Sequence, residues 1–167
     1  MKNRLAVFLF MLGILLIQET TAQKKKIYNP RANANEQISD AINKARIEKK
    51  HVLVMVGGNW CSWCVKFDKF VTGDYAVSEY LDQHYILVHV NYSKENHNYR
   101  TLQELGFPQR FGFPVFVVLD EKGQRLHTQN SVYLEKDGGY DEEAVLNFLK
   151  HWSNDALNPA NYEKDKN

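Results

Sequence analysis

Apolar residues along the middle of the chain alternate between helical and strand-like spacing. From residue 35 to about 49 they recur at i, i+3, i+4 and i+7, which predicts an amphipathic helix. Continuous, largely β-branched apolar runs follow at 51–57, 85–90 and 115–119, a pattern typical of strands buried on both faces. After a turn at 120–123, residues 124–128 predict a fourth strand that forms a hairpin with the third.

Helical spacing separates these strands. It covers 61–71, 75–83, the later part of 93–105, and a last helix that begins at 141. Strands that alternate with helices and end in a hairpin predict an α/β fold, with a central mixed four-stranded sheet and helices on both faces. Two weaker elements complete the pattern. Ile27-Tyr28 is a candidate edge strand, and residues 129–140 are expected to form a polar loop.

Residues 1–22 have the organisation of a cleavable signal peptide. Lys2 and Arg4 give a positive start, the 13 residues from Leu5 to Ile17 are apolar, and a short polar region ends at Ala22. Thirteen helical residues extend about 20 Å, less than the roughly 30 Å hydrocarbon core of a bilayer. We therefore expect cleavage after Ala22 and a periplasmic or secreted protein. Retention of this segment as an N-terminal anchor is the alternative.

The rest of the chain is expected to hold one domain at 35–153, between a linker at 23–34 and a disordered tail at 154–167. The chain carries 21 Lys and Arg against 20 Asp and Glu. The first 22 residues contain two of the basic and one of the acidic residues, so the remainder has no formal net charge. This balance gives no indication of nucleic acid or an anionic membrane surface as a partner.

The only two cysteines, Cys61 and Cys64, lie where the first predicted strand meets the next helix. A bridge between them closes a very short loop and would stabilise the fold little, because the entropy gained grows with loop length. The pair therefore favours redox exchange over a purely structural bridge. At a helix start, unpaired N–H groups and the helix dipole are expected to lower the pKa of Cys61, the attacking thiol. Cys64, one turn along, is then the resolving thiol.

Metal binding is the rival use of a C-x-x-C pair. A structural zinc site needs four ligands. The chain has no second pair of cysteines, and of its six histidines only His84 and His89 approach the spacing of zinc ligands. We therefore expect neither a metal nor an organic cofactor, and the Cys61–Cys64 disulfide itself is the expected redox group.

Together these features resemble the thioredoxin superfamily, and most of all its exported bacterial thioredoxin-like domains. The resemblance covers roughly 35–153. It rests on four segments: Trp60-Cys61-Ser62-Trp63-Cys64-Val65-Lys66-Phe67-Asp68, Val88-His89-Val90-Asn91, Gly112-Phe113-Pro114-Val115 and Asp120-Glu121-Lys122-Gly123. It implies a thioredoxin-like fold and thiol–disulfide oxidoreductase activity on protein disulfides or dithiols. It also implies a redox partner protein, for which a membrane protein is one option.

The same resemblance implies substrate-binding residues. Pro114 is expected to be a cis proline packed against the disulfide, which turns the Phe113 backbone toward an extended substrate chain. An ordinary trans proline that opens a strand is the alternative. Trp60 and Trp63 flank the cysteines. We expect Trp60 to pack at the rim of the site and Trp63 to be an exposed substrate contact, and a plain core position is the alternative for either.

Three positions depart from the family pattern. Phe113 stands where relatives often have Thr, and its bulk is expected to narrow the substrate groove. Met55, six positions before Cys61, replaces the buried acid that accepts the proton of the resolving thiol in thioredoxins. Ser62-Trp63 between the cysteines leaves the direction of electron flow open.

Two charged residues after the motif have open roles. Asp68 is a candidate substitute for the missing acid, but a surface salt bridge with lysines is the role that we expect. Lys66 either favours the Cys61 thiolate or is solvated.

A non-catalytic thioredoxin-fold binding module is the alternative function. Its contact patch would consist of aromatic residues expected to be exposed: Trp63, Phe113, Tyr133 and Tyr140. The dithiol argues against this function, because a protein that only binds has no need of two thiols at a helix start.

Overall fold

The computed structural model describes residues 26–163, which form a four-stranded sheet between two layers of helices. The helices are α1 (Ala34–Glu48), α2 (Ser62–Gly73), α3 (Tyr75–His84), α4 (Tyr99–Glu104), α5 (Glu142–His151) and α6 (Asn154–Leu157). The strands are β1 (His51–Gly57), β2 (Tyr85–Asn91), β3 (Val115–Leu119), β4 (Arg125–Asn130), β5 (Glu135–Lys136) and β6 (Gly139–Tyr140). The expected leader at 1–22 lies outside the described residues.

The predicted mixed sheet with helices on both faces is confirmed. Its strand order is β2-β1-β3-β4, with β1 parallel to β2 and antiparallel to β3, and β3 antiparallel to β4. Every residue of β1 is buried, as its continuous apolar run indicates. Within 26–163, no helix has the length and apolar character needed to cross a membrane.

The sheet separates two cores, because successive strand residues point to opposite faces. The first core, called here the aromatic face, lies under α2, α3 and α5. Its buried residues are Tyr28, Leu53, Met55, Cys61, Cys64, Phe67, Val71, Val77, Leu81, Tyr85, Phe116, Val118, Leu134, Val145, Phe148 and Leu149. The second core, called the aliphatic face, lies under α1 and α4. Its buried residues are Ala34, Ile38, Ala41, Ala45, Val52, Val54, Val56, Val88, Val90, Leu102, Leu105, Val115, Val117 and Leu119.

The segment before α1 is not an edge strand, so that prediction for Ile27-Tyr28 is wrong. The N–H groups of both residues donate to the side-chain oxygen of Asn59, at 3.0 and 3.1 Å, rather than to a neighbouring strand. The Asn59 amide in turn donates to the Tyr28 carbonyl at 2.8 Å. One side chain therefore fastens this segment to the turn that precedes the cysteines.

Residues 129–140 are more ordered than the polar loop that the sequence predicts. β4 continues to Asn130, a 3₁₀ turn follows at Ser131–Leu134, and β5 and β6 form a short hairpin. Asp137 and Gly138 connect its strands, both with positive φ, as a two-residue hairpin turn requires. An Asp-Gly pair is a common signal for such a turn, and it could have predicted this hairpin.

The predicted disordered tail is wrong for residues 154–161. Ser153 caps α6 by accepting a hydrogen bond from the Ala156 N–H at 3.2 Å, and the Asn154 amide donates to the Lys49 carbonyl. A 3₁₀ turn at Pro159–Asn161 follows. The contact between Asn154 and Lys49 joins residues 105 positions apart, which no local pattern indicates.

Candidate active site

Cys61 and Cys64 form a disulfide at the N-terminus of α2, with their Cα atoms 5.2 Å apart. Cys61 is the N-cap residue, with extended backbone angles, and its Sγ accepts a hydrogen bond from the Cys64 N–H at 3.1 Å. The predicted position of Cys61 at a helix start is confirmed. Unpaired N–H groups and the positive end of the helix dipole converge there, so a sulfur anion is favoured at this point.

The two sulfurs differ in accessibility. Cys61 retains 5% of its surface exposed, whereas Cys64 has none. A substrate arriving from solvent can therefore reach Cys61 before Cys64. This difference matches the order of reaction that the sequence predicts, with Cys61 attacking and Cys64 resolving.

Trp60 is the exposed tryptophan of the motif. Its side chain is 58% exposed, and its indole N–H donates to the Tyr92 carbonyl at 2.7 Å. Its ring meets the Phe113 ring edge-on at 5.3 Å, and Phe113 stacks on Tyr92 at 4.9 Å. Trp60, Tyr92 and Phe113 therefore form a contiguous aromatic rim beside Cys61. Gly58 lies directly under the Trp60 indole, where a Cβ would have no room.

Trp63 is only partly exposed, so the prediction that it is exposed is wrong, whereas its role as a substrate contact stays a prediction. It is partly buried against the aromatic face, edge-on to Tyr140 at 5.6 Å. Its carbonyl accepts a hydrogen bond from the Tyr140 hydroxyl at 3.2 Å. Residue 63 lies in the first turn of α2 facing the β5–β6 hairpin, whereas residue 60 precedes the helix and no element covers it. Tyr140 is thus a packing residue and not part of an exposed patch.

The charged residues after the motif have other partners than those predicted. The Lys66 ammonium donates to the Gly138 carbonyl at 2.8 Å and lies 4.3 Å above the Trp63 ring, so it is engaged with the hairpin. Asp68 is 18% exposed, and its Oδ1 lies 3.9 Å from Nε2 of His89 on β2. The predicted surface salt bridge of Asp68 with lysines is therefore wrong.

The remaining predicted positions agree with their expected geometry. The Phe113–Pro114 peptide bond is cis, as predicted, and Pro114 is buried immediately before β3. Met55 is fully buried, paired with His89 on one side and Phe116 on the other. An apolar side chain thus occupies the place where thioredoxins carry the buried acid.

Sequence patterns missed Tyr28, which belongs to the same site. Tyr28 lies in the segment that the sequence predicts to be a linker. Its side chain is nevertheless only 2% exposed, and its ring lies edge-on to the His89 ring at 5.4 Å. Burial raises its pKa, and Tyr140 and Asp68 raise it further. The position of Tyr28 depends on the hydrogen bonds between the Asn59 side chain and the backbone of residues 27 and 28, which lie more than thirty positions earlier in the chain.

Within residues 26–163, no group of three or more His, Cys, Asp and Glu side chains is placed to hold a metal ion. The two histidines with spacing near that of zinc ligands have different partners. His84 Nδ1 lies 3.7 Å from Asp155 Oδ2, whereas His89 faces Asp68.

Comparisons with known proteins agree with this geometry. The model of the family described as "Thioredoxin-like domain" matches residues 38–137. A protein named disulfide bond reductase DsbH, from Chlamydia pneumoniae, is 27% identical over 106 residues, covering 58% of this chain and 64% of that protein. The chain thus spans slightly less than two thirds of the length of the curated relative it matches.

Solved structures share the fold. A disulphide isomerase from Xylella fastidiosa Temecula1 superimposes with a TM-score of 0.67 at 22% identity, covering 77% of this chain and 97% of that one. A thioredoxin from Thermus thermophilus does so with a TM-score of 0.51 at 19% identity, covering 68% of this chain and 81% of that one. At these identities the likeness concerns the fold alone.

Proposed function

Because the chain belongs to the thioredoxin-like domain family, we propose that it is a thiol–disulfide oxidoreductase acting on protein disulfides or dithiols through Cys61 and Cys64. The observation that carries the proposal is the position of the Cys61 sulfur. It caps α2 and accepts the Cys64 N–H at 3.1 Å, while Cys64 is fully buried. The Cys61 sulfur is thereby placed to react with a substrate. The buried Cys64 sulfur is placed to react with Cys61 in the step that releases the substrate.

The proposed reaction consists of two exchanges. The Cys61 thiolate attacks one sulfur of a substrate disulfide, a Cys61–substrate bond forms, and the first substrate thiolate leaves. Cys64 then attacks the Cys61 sulfur, the mixed disulfide breaks, and the second substrate thiolate leaves. The substrate gains two electrons and two protons, which the two enzyme thiols lose as they form the Cys61–Cys64 disulfide. The reverse sequence oxidises a dithiol. No metal or organic cofactor takes part.

Substrate binding is proposed for the aromatic rim and the chain that enters β3. Trp60 and Phe113 offer apolar surface beside Cys61, which suits an extended polypeptide more than a small polar thiol. The main chain of Phe113, ahead of Pro114 and β3, would pair with that polypeptide as a short added strand. Trp63 contributes by fixing the first turn of α2 against Tyr140.

The proposed location is outside the cytoplasm, in the periplasm or secreted. Residues 1–22 carry the pattern of a signal peptide, and an exported dithiol requires a redox partner protein to renew its redox state. Sequencing the N-terminus of the protein purified from its host tests export. A chain that begins at residue 23 is expected, and one that still begins at Met1 contradicts cleavage.

Exchange assays on cysteine variants test the activity. We expect Cys61→Ser to abolish the acceleration of insulin reduction by dithiothreitol, because the remaining Cys64 is fully buried. Cys64→Ser should accumulate mixed disulfides with protein substrates through Cys61, because the resolving thiol is missing. Ser39→Ala, on the exposed surface of α1, is the control and should behave as the wild type.

Two outcomes would contradict the proposal. Full exchange activity in Cys61→Ser would remove the dithiol from the reaction. Absence of any covalent adduct with Cys64→Ser, together with non-covalent capture of a protein, would favour a binding module. The measured reduction potential then assigns direction, since about −270 mV is typical of a reductant and about −120 mV of an oxidant.

A further inference from the structure

Tyr28 carries a buried hydroxyl that the reaction described above does not use. Its side chain is 2% exposed, and its Oη has no hydrogen-bond partner within residues 26–163. A buried donor without an acceptor destabilises a fold, so a native protein that retains one calls for an explanation. The neighbour of this hydroxyl, the Cys64 sulfur, provides one.

The hydroxyl lies beside the sulfur of Cys64. A Cβ placed on Gly57, at the end of β1, would lie 2.7 Å from Tyr28 Oη and even closer to Cys64 Sγ. The Tyr28 Oη and Cys64 Sγ atoms are therefore separated by less than twice 2.7 Å. Any larger residue at position 57 would displace one of them. In the disulfide state no hydrogen bond joins the two atoms, and a disulfide sulfur is a weak acceptor.

The surroundings hold Tyr28 in place and keep it protonated. Asn59 makes three hydrogen bonds with the backbone of Ile27 and Tyr28, so the main chain that carries the phenol is held in place. The titratable groups around its ring are His89 on β2, Asp68 on α2 and Tyr140 on β6. Burial first, then Tyr140 and Asp68, raise the pKa of Tyr28. The hydroxyl is therefore a donor at neutral pH and cannot serve as a base.

We propose that the Tyr28 hydroxyl donates a hydrogen bond to the Cys64 sulfur once the disulfide opens, and so stabilises the Cys64 thiolate that resolves the mixed disulfide. This inference rests on the proposed function. A thiolate accepts such a bond far better than a disulfide sulfur does, because the acceptor is charged. Met55 puts an apolar side chain where thioredoxins carry the buried acid, and a neutral donor supplied by the segment before α1 takes over the stabilisation of the resolving thiol.

The step balances without a further reactant. The Cys64 thiol loses its proton, and its sulfur attacks Cys61. The Cys61–Cys64 bond forms as the Cys61–substrate bond breaks. The electron pair leaves on the substrate sulfur, which takes up a proton in place of the one that Cys64 lost. Tyr28 keeps its own proton throughout and lowers the energy of the intermediate thiolate.

Tyr28→Phe tests the inference, because it removes the hydroxyl and keeps the ring. In the Cys61→Ala background, the carbon chemical shift of Cys64 Cβ reports ionisation of this thiol. We expect its titration midpoint to rise by about one pH unit, and resolution at neutral pH to slow about tenfold. Above both midpoints, where Cys64 is ionised in either reduced protein, the equilibrium constant for reduction by glutathione should fall about tenfold, which corresponds to a potential about 30 mV lower. At pH values above both midpoints the resolution rates should converge.

Tyr85→Phe is the matched control. Tyr85 is an equally buried tyrosine of the aromatic face, but its hydroxyl donates to the Leu149 carbonyl at 2.6 Å. Its removal should destabilise oxidised and reduced protein alike and leave the Cys64 midpoint unchanged. Tyr28→Phe should leave the oxidised protein at least as stable as the wild type, because it removes a buried donor without an acceptor, and it should destabilise the reduced protein relative to the oxidised one.

An unchanged Cys64 midpoint and potential in Tyr28→Phe would overturn the inference, as would equal shifts in both variants. These titrations need no protein substrate. A failure of the proposed function, seen as full activity of Cys61→Ser, would therefore be distinguishable from a failure of the role assigned to Tyr28.

Discussion

The two faces of the sheet are built from different side chains although the same strands supply both. β1 alternates, with Val52, Val54 and Val56 on the aliphatic face and Leu53 and Met55 on the aromatic face. The buried residues of the aliphatic face are Ala, Val, Ile and Leu alone. The aromatic face contains both cysteines, two tyrosines and three phenylalanines.

This difference separates stability from chemistry. Aliphatic side chains stabilise the fold in proportion to the area they remove from water, and they offer no polar atoms. Tyrosines bury a ring and still present a hydroxyl, so they can hold a helix end or face a reacting sulfur. Tyr140 does the first at Trp63, and Tyr28 is proposed to do the second at Cys64. Substitutions that truncate buried side chains should therefore lower stability on either face, but should affect disulfide exchange mainly on the aromatic face.

The largest effect is expected from Phe67→Ala on the aromatic face. Phe67 is fully buried, and its ring contacts those of Phe116 at 4.5 Å and Tyr140 at 5.0 Å. Removing it should lower the free energy of unfolding by about 3–5 kcal/mol. It should also slow disulfide exchange, because α2 carries Cys61 and loses its central anchor. Urea unfolding and insulin reduction measure the two effects. Loss of stability with unchanged exchange kinetics would contradict the link between this face and the site.

Leu102→Ala gives the corresponding change on the aliphatic face. Leu102 of α4 is almost fully buried, and its truncation should lower the free energy of unfolding by about 2–5 kcal/mol. The reduction potential of the folded protein should match the wild type, because both cysteines and Tyr28 lie on the other face. Of the site residues, only Tyr92 and Phe113 of the rim pack against the aliphatic face, so the exchange rate should change little. A shifted potential would show that the two faces are coupled through β1.

The smallest effect concerns the helix caps of the two faces. Asp141 caps α5 by accepting the Ala144 N–H at 3.0 Å and pairs with Lys136 at 3.0 Å, and these contacts lower its pKa. A lowered pKa gives stability that is present above the ordinary carboxyl value and is lost as the pH falls toward the folded-state pKa. The melting temperature should therefore fall more steeply between about pH 5 and pH 3 in the wild type than in Asp141→Asn.

Asn33 provides the control for this pH dependence. It caps α1 on the aliphatic face with a neutral oxygen that accepts the Asn35 N–H at 3.0 Å. Asn33→Ala should lower stability by about 1 kcal/mol at every pH, because no titrating group is removed. Equal pH slopes for the wild type and Asp141→Asn would show that the Asp141 charge contributes nothing.

Local patterns predicted the regular elements well. The bounds of β1 and β3 agree with the sequence prediction residue for residue, because continuous β-branched runs between turn residues have few alternatives. The position of the dithiol at the start of α2 could likewise be predicted, since two cysteines at this spacing can share one helical turn. Contacts between distant segments could not be predicted in this way. They account for the wrong predictions of an edge strand at residues 27–28 and of a disordered tail at residues 154–161.

The sequence by itself determined the sheet, the position of the dithiol and the family, because each depends on residues that are neighbours along the chain. Tertiary structure decided which tryptophan is exposed, what partners Lys66 and Asp68 take, and what lies against Cys64. Trp60 and Trp63 are three positions apart, and only the β5–β6 hairpin distinguishes them by covering one. Tyr28 reaches the redox site because Asn59 fastens a segment that has no periodic pattern of its own. Side-chain hydrogen bonds between distant segments leave no repeat in a sequence, so only the folded chain reveals them.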